Sequence, residues 1–347
     1  MSTHQVGSFR SVSRLLHLSL CLAFAAFFAG CGGSDDTTET SGTSGGTAES
    51  GAGGGFKIVT TTGMVTDIVQ VVAGDHATVT GLVGEGVDPH LFTAGRNDVK
   101  QLLEADIVFF SGLLLEGRIA EDLGRVRQKG KPVIEVTTAI EKLYLRTPPE
   151  FEGHPDPHVW MDVSAWSKAV SEVARAMAEF DPPNKAEYEK NAADYLAKLT
   201  DLDKYIRERV ATIPESQRYL ITAHDAFGYF AKAYGINVKA IQGISTESEV
   251  GISDITNLID FIIANKVPAI FVESSVSEKN ITAVIEGCAA KGFELIIGGG
   301  LYSDAMGAPG TYEGTYIGMM DHNATTVTRA LGGEAPEKGW QGKLTVH

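Results

Sequence analysis

Short β-branched or apolar runs alternate with helical patterns twice along this chain, and a long helical stretch separates the two series. In the first series, residues 56–61, 76–83, 107–111 and 132–136 read as strands, and 65–73, 97–105 and 118–129 read as helices. In the second, strands are expected at 219–222, 238–242, 269–272 and 294–297, and helices at 226–234, 253–265, 277–291 and 314–331. Strands that alternate with helices pair in parallel and are covered by those helices. The expectation is an α/β fold of two lobes, each a mostly parallel β-sheet flanked by helices.

Between the two series the pattern changes. Residues 164–180 read as a helix that stops at Asp181-Pro182-Pro183, and a second run continues from Asn184 to about Ala211. In that run Tyr188, Ala192, Tyr195, Leu196, Leu199, Leu202, Tyr205, Ile206 and Val210 keep an apolar stripe of helical period. Asn184 is placed to cap the helix, and Pro214 lies just beyond its end. At about 1.5 Å per residue the helix spans roughly 40 Å, enough to join both lobes as a rigid backbone. The implied bounds are lobes at 56–183 and 213–347, with the linking helix at 184–212.

Four segments far apart in sequence each set a metal-type ligand near Gly or Pro turn residues. They are Gly86-Val87-Asp88-Pro89-His90, Asp156-Pro157-His158-Val159-Trp160, Ala223-His224-Asp225-Ala226-Phe227-Gly228 and Gly300-Leu301-Tyr302-Ser303-Asp304-Ala305. Open α/β sheets bind ligands in loops after the carboxyl ends of strands, which is where His90, His158, His224 and Asp304 fall. An Asp-Pro pair before His90 and before His158 fixes a turn at each. Three neutral imidazoles and one carboxylate complete the coordination of a divalent transition metal. With two ligands from each lobe, the ion is expected in the interlobe cleft. A saturated site leaves no open position for a catalytic water, so it points to carriage rather than catalysis.

Other residues have competing readings. A lone loop histidine is more often a surface or packed residue than a ligand; the combination with a carboxylate carries the argument. His154 is an alternative to His158, whose Asp-Pro-His-Val-Trp setting favours it. His76 and His322 read as surface or packing residues. Glu247, Glu249 and Glu273 either orient ligand imidazoles or are exposed carboxylates and caps. Trp160 and Phe227 are expected to wall the cleft. Gly298-Gly299-Gly300 is not followed by Gly-Lys-Ser/Thr, so it reads as a tight turn toward Asp304 and not as a phosphate cradle.

The N-terminus gives an address. Arg10 and Arg14 precede a largely apolar run at 15–28 that ends at Phe28-Ala29-Gly30-Cys31, the form of an export signal. Cys31 after Ala-Gly resembles a bacterial lipobox, in which that cysteine becomes the lipidated first residue; Phe28 departs from the usual Leu. Residues 1–31 thus read as a lipoprotein signal. Residues 32–55 are Gly, Ser, Thr and Ala with a few acids, a composition unable to offset its ordering entropy. They read as a disordered tether of roughly 25 Å root-mean-square span.

About 290 residues remain, enough for two lobes. Cys21 leaves with the signal and Cys31 carries lipid, so Cys288 has no partner for an internal disulfide and is expected to be buried on a helix. Net charge is −15, and removing Arg10 and Arg14 takes it to −17. Such acidity argues against nucleic acid and mildly favours cations.

Stretches 86–92, 156–162, 223–235, 243–255, 271–281 and 301–323, in that order, resemble the zinc/manganese solute-binding lipoproteins of ABC importers, the TroA-like family. The resemblance runs from residue 56 to about 332. It implies His90, His158, His224 and Asp304 as ligands of one Zn²⁺ or Mn²⁺ per chain, no catalytic residue, and limited lobe movement about a long backbone helix. It also implies an extracytoplasmic monomer, anchored to the membrane by lipid on Cys31 and facing the periplasm or cell exterior. Such a protein delivers the ion to the permease and ATPase of an importer. Leu113-Leu114-Leu115-Glu116-Gly117 departs from relatives that carry a His near the middle Leu, with no ligand expected to be lost. The His-rich acidic loop of many zinc-dedicated members is also nearly absent.

Ligand softness suits Zn²⁺, whereas a bidentate Asp304 admits Mn²⁺ or Fe²⁺. Two other classes stay open at this stage. A secreted zinc-dependent hydrolase would use Asp304 as base, although no His-Glu-x-x-His helix is present. A metal-binding adhesin is not addressed by any residue. Haem or corrinoid carriage gives no reason for three converging imidazoles.

Overall fold

The structure, a computed structural model, describes residues 55–345. The export signal, Cys31, the tether up to residue 54 and His347 lie outside the described residues. Four strands form the first sheet: β1 (Phe56–Thr60), β2 (Ala77–Gly81), β3 (Ile107–Phe110) and β4 (Val133–Glu135). Their order is β2-β1-β3-β4 and every pairing is parallel. A strand inside a covered parallel sheet buries both faces. This is why Ile107-Val108-Phe109-Phe110 is apolar and buried at every position, whereas the edge strand β2 alternates two threonines with small or apolar residues and has no buried position.

In the second half β5 (Tyr219–His224) pairs in parallel with β6 (Asn237–Gln242), and β7 (Ala269–Glu273) with β8 (Ile296–Leu301). This half therefore carries two two-stranded sheets where one was expected. β5 and β7 lie side by side, but at their carboxyl ends Glu273 Oε1 accepts the backbone N–H of His224 at 2.9 Å. A carboxylate there takes the donor that a ladder bond would use.

The triple glycine also differs from its reading as a tight turn. It lies within β8, where Ile297 pairs with Ile270 and Gly299 with Phe271, leaving Gly298 as the extra residue of a bulge. A Cβ on Gly298 would come within 2.7 Å of the Phe271 ring. The glycines let a bulged strand end pass close over an aromatic side chain.

Nine helices cover these sheets among the described residues: α1 (Gly63–Ala73), α2 (Arg96–Glu104), α3 (Ala120–Gln128), α4 (Val163–Phe180), α5 (Lys185–Val210), α6 (Gly228–Tyr234), α7 (Ile252–Asn265), α8 (Lys279–Ala290) and α9 (Tyr316–Ala330). α5 is the expected long helix, with 26 residues, roughly 39 Å at 1.5 Å per residue. It packs on α1 and α4 from the first half and on α9 from the second. Its stripe is buried at Tyr188, Ala192, Tyr195, Leu199, Leu202, Ile206 and Val210, while Leu196 and Tyr205 are partly buried against the same core. Tyr195 also donates its hydroxyl to Asp67 of α1 at 2.6 Å.

Asn184 occupies the first boundary position of α5 but does not cap it. Its amide donates to Asp181 Oδ2 at 2.7 Å, so the side chain is spent on the preceding turn. Cys288 is buried on α8, and burial raises its thiol pKa. Among the described residues no helix is long and apolar enough to cross a membrane.

Candidate metal centre

Four buried side chains from four separate loops or strand ends meet at one point. His90 lies in the loop between β2 and α2, His158 in the turn before α4, His224 at the last position of β5, and Asp304 three residues beyond β8. One ligand-type atom from each lies within 4.8 Å of all the others, and the group could hold a metal ion. Around Asp304, His158 Nε2 stands at 3.2 Å from Oδ1, and His224 Nε2 and His90 Nε2 at 3.1 and 3.7 Å from Oδ2. The Nε2 atoms of His90 and His158 are 3.4 Å apart.

Two imidazoles are aimed by carboxylates behind them. His158 Nδ1 donates to Asp156 Oδ1 at 2.8 Å, and the same oxygen accepts the His158 backbone N–H at 3.0 Å. Arg146 pairs with the other oxygen of Asp156. Its guanidinium crosses so close to Gly228 that a Cβ there would meet Nη1 at 1.2 Å. His224 Nδ1 donates to Glu273 Oε2 at 2.5 Å. Holding Nδ1–H outward directs each Nε2 at the centre, the usual way a protein orients a metal-binding imidazole. Trp160 packs its ring 5.2 Å from that of His158 and donates Nε1–H to the Ser303 carbonyl at 2.9 Å, bracing the residue before Asp304.

The centre itself is short of partners. His224 Nε2 and both oxygens of Asp304 are buried without a hydrogen bond. A buried polar atom with no partner is costly, and a cation among these donors would satisfy all three. The donor set therefore fits a divalent ion.

Electrostatics divide the imidazoles. Burial pushes His90 down to about 3, which the Asp304 charge offsets only in part. Burial also acts to lower His158, but the charge of Asp304 together with the bond to Asp156 and its charge outweighs it and holds that ring up to about 9. For His224 burial is likewise overcome, by the charges of Glu273 and Asp304, and its pKa lies well above the ordinary value. Burial alone would raise Asp304; His224 and His158 hold it well below the usual carboxylate range instead. The carboxylates thus bias two of the three imidazoles toward the charged form.

Not every residue singled out in the sequence lies here. His154 is exposed beside Phe151, His76 pairs with Glu187 at 2.9 Å, and His322 meets the Gly300 carbonyl at 2.8 Å. Of the three glutamates, Glu273 orients an imidazole, Glu247 pairs with Arg118 at 2.8 Å, and Glu249 is exposed. Phe227, expected at the cleft wall, packs on Phe230 in the core. Leu114, the middle leucine of the departing segment, is 56% exposed, and Leu113 and Leu114 both have left-handed backbones. Buried Glu116 folds that segment by accepting from Thr61 Oγ1 at 2.6 Å and from the N–H groups of Ser111 and Gly112 at 2.7 and 3.0 Å. Sequence reasoning gave Asp156 only a turn role and gave Arg146 and Glu116 none. The Asp-Pro-His spacing was the one signal available for Asp156.

An α/β fold of parallel sheets, with three imidazoles and a carboxylate buried at strand ends and loops, defines a protein able to hold one divalent cation away from water. The family model described as zinc-uptake complex component A, periplasmic (ZnuA), matches residues 58–330, and the chain belongs to this family. The manganese-binding lipoprotein MntA of Bacillus subtilis (strain 168) is 45% identical over 277 residues, 80% of this chain and 90% of that protein. The zinc-binding protein TroA of Treponema pallidum (strain Nichols) is 42% identical over 289 residues, 82% of this chain and 92% of that one. The solved structure of the periplasmic zinc binding protein TroA from Treponema pallidum has a TM-score of 0.78 at 42% identity and covers 80% of this chain and 99% of its own. The expected kinship with TroA-like proteins holds.

Proposed function

We propose that this chain is the extracytoplasmic substrate-binding component of an ABC importer. It captures one divalent transition metal ion at His90, His158, His224 and Asp304 and delivers it to the membrane permease and ATPase. The observation that carries this reading is the convergence of four buried donors of which His224 Nε2 and both Asp304 oxygens lack partners. Asp304 faces the same point as the imidazoles, 3.1 to 3.7 Å from each Nε2. That suits a fourth ligand better than a base set apart from the metal, so the reading is of a carrier and not a hydrolase.

The relatives named above are described as manganese-binding and zinc-binding, and the donor set admits either ion, with Fe²⁺ as a third candidate. The chain acts as a monomer, with lobes at 56–183 and 213–347 about the helix at 184–212. It is tethered through lipid on Cys31, and relatives described as lipoproteins support that anchor. Intact mass of membrane-extracted protein tests the anchor: a retained signal, or a cut elsewhere, rules it out. Elemental analysis of protein purified from its own host tests the cargo. Close to one zinc or manganese per chain is expected, with none in an Asp304→Ala, His224→Ala double variant. Wild-type protein without a transition metal would contradict the reading.

A further inference from the structure

His90 is held differently from the other two imidazoles. Asp156 and Glu273 grip Nδ1 of His158 and His224, but among the described residues no carboxylate holds Nδ1 of His90. It is also the donor closest to solvent: His90 is 5% exposed where the other three are fully buried, and Val87 and Leu91 beside it are 38% and 41% exposed.

What fixes His90 is its loop. Asp88 Oδ1 accepts the His90 backbone N–H at 2.8 Å, and Asp88 Oδ2 accepts the Thr246 hydroxyl at 2.5 Å. On the other flank, the Leu91 carbonyl accepts from Arg118 Nη1 at 3.3 Å, and Arg118 Nε donates to Glu247 Oε1 at 2.8 Å. Thr246 and Glu247 are consecutive, and Thr246 lies 158 positions beyond Asp88. One short stretch of the second half therefore ties down both flanks of a ligand in the first.

We propose that Thr246 and Glu247 are positioning residues for His90, and that parting of their two ties is the step that lets the ion leave. The proposal rests on the reading of His90 as a ligand. An ion held by four donors escapes by losing one first, and the donor with the least support is lost most readily. For His158 and His224 that loss means breaking a buried carboxylate–imidazole bond. For His90 it means lifting a surface loop, a local opening of the kind that often limits release. The two ties are unequal. The Asp88–Thr246 bond is partly buried and charge-assisted, whereas Arg118 and Glu247 are 44% and 51% exposed and form a pair that salt screens. Thr246 therefore contributes the larger share.

The test is metal release from the full chain loaded with Zn²⁺ and mixed rapidly with excess chelator. Thr246→Val, which keeps the shape and removes the donor, is expected to release the ion about 10-fold faster or more. Glu247→Gln is expected to release about 2- to 5-fold faster at low salt, with the difference vanishing at high salt. Thr246→Ser, which restores the hydroxyl, should release at the wild-type rate. Melting of the metal-free protein should fall by no more than about 2 °C in any variant, which separates positioning of His90 from a general loss of structure. Wild-type rates for both Thr246→Val and Glu247→Gln would overturn the proposal. So would a Thr246→Ser variant as fast as Thr246→Val, because the hydroxyl would then not be the tie. Wild-type protein that never loads Zn²⁺ or Mn²⁺ would instead overturn the ligand assignment itself.

Discussion

An imidazole binds metal only when neutral, so the pKa values of these rings decide how the site responds to pH. His158 stands at about 9 and His224 well above its ordinary value, while His90 stands at about 3. An ion arriving at neutral pH is expected to displace protons from His158 and His224 and none from His90. Affinity is therefore expected to rise with pH up to about 9 and to fall as pH drops, a window reaching well above the 6.5 of a free imidazole. The metal-free fold behaves in the opposite sense. Its raised imidazoles add stability that is fully present below about 6.5 and is lost as pH rises through about 9. Calorimetry at neutral pH in buffers of different protonation enthalpy should give about one to two protons released per ion. Uptake with no proton release would contradict the proposed electrostatics.

At the same scale, the four converging side chains were legible because each stands among turn residues, His224 and Asp304 at or just beyond a strand end and His90 and His158 each after an Asp-Pro pair. Their supports were less so. Asp156 is two residues from His158, but its bond to Nδ1 depends on a turn whose shape the spacing does not give. Glu273 lies 49 positions from His224 and meets it only because β5 and β7 end side by side. Arg146 reaches Asp156 over Gly228 at the start of α6, a contact that no local pattern records.

At the scale of elements, hydrophobic period located the strands and helices, and chemistry at their ends was harder to read. Asn184 follows two prolines, where a capping residue belongs, yet Asp181 competes for its amide. The three glycines suggest a turn to anyone who cannot see the Phe271 ring beneath them. Among the described residues, two helix starts do carry side-chain caps, Thr315 on α9 and Asp162 on α4. Asp162 Oδ1 accepts from the backbone N–H groups of Ser164 and Ala165 at 2.9 and 3.2 Å, and Oδ2 receives the Tyr144 hydroxyl. Asp162→Ala is expected to destabilise the protein by about 1–2 kcal/mol, as loss of a helix cap does. Urea unfolding of the metal-free form measures this, and an unchanged midpoint would show that α4 does not depend on the cap.

Across the whole molecule, α5 joins the two halves by packing on α1 and α9, and the donor set draws residues from both. An ion bound only by the folded state therefore stabilises the fold as a whole, by about 4 kcal/mol at a thousandfold excess over Kd. For a fold of about 290 residues that corresponds to a rise in Tm of roughly 6–7 °C. Chelator-treated protein should melt lower by that amount and recover on adding Zn²⁺ or Mn²⁺. The stiffness of α5 adds a second expectation, that X-ray scattering profiles of empty and loaded protein are nearly superimposable. A large contraction on loading would show that the helix bends or that the halves turn about it.

The central claim is that these four side chains, and not another histidine of the chain, hold one ion. Titration calorimetry of the metal-free protein with Zn²⁺ tests it most directly, run on wild type, His224→Ala and the exposed alternative His154→Ala. The account predicts one ion per chain for wild type and for His154→Ala with equal affinity, and a loss of at least about 100-fold for His224→Ala, since a coordination position is left open. Full-affinity binding by His224→Ala, or its loss in His154→Ala, would contradict the account.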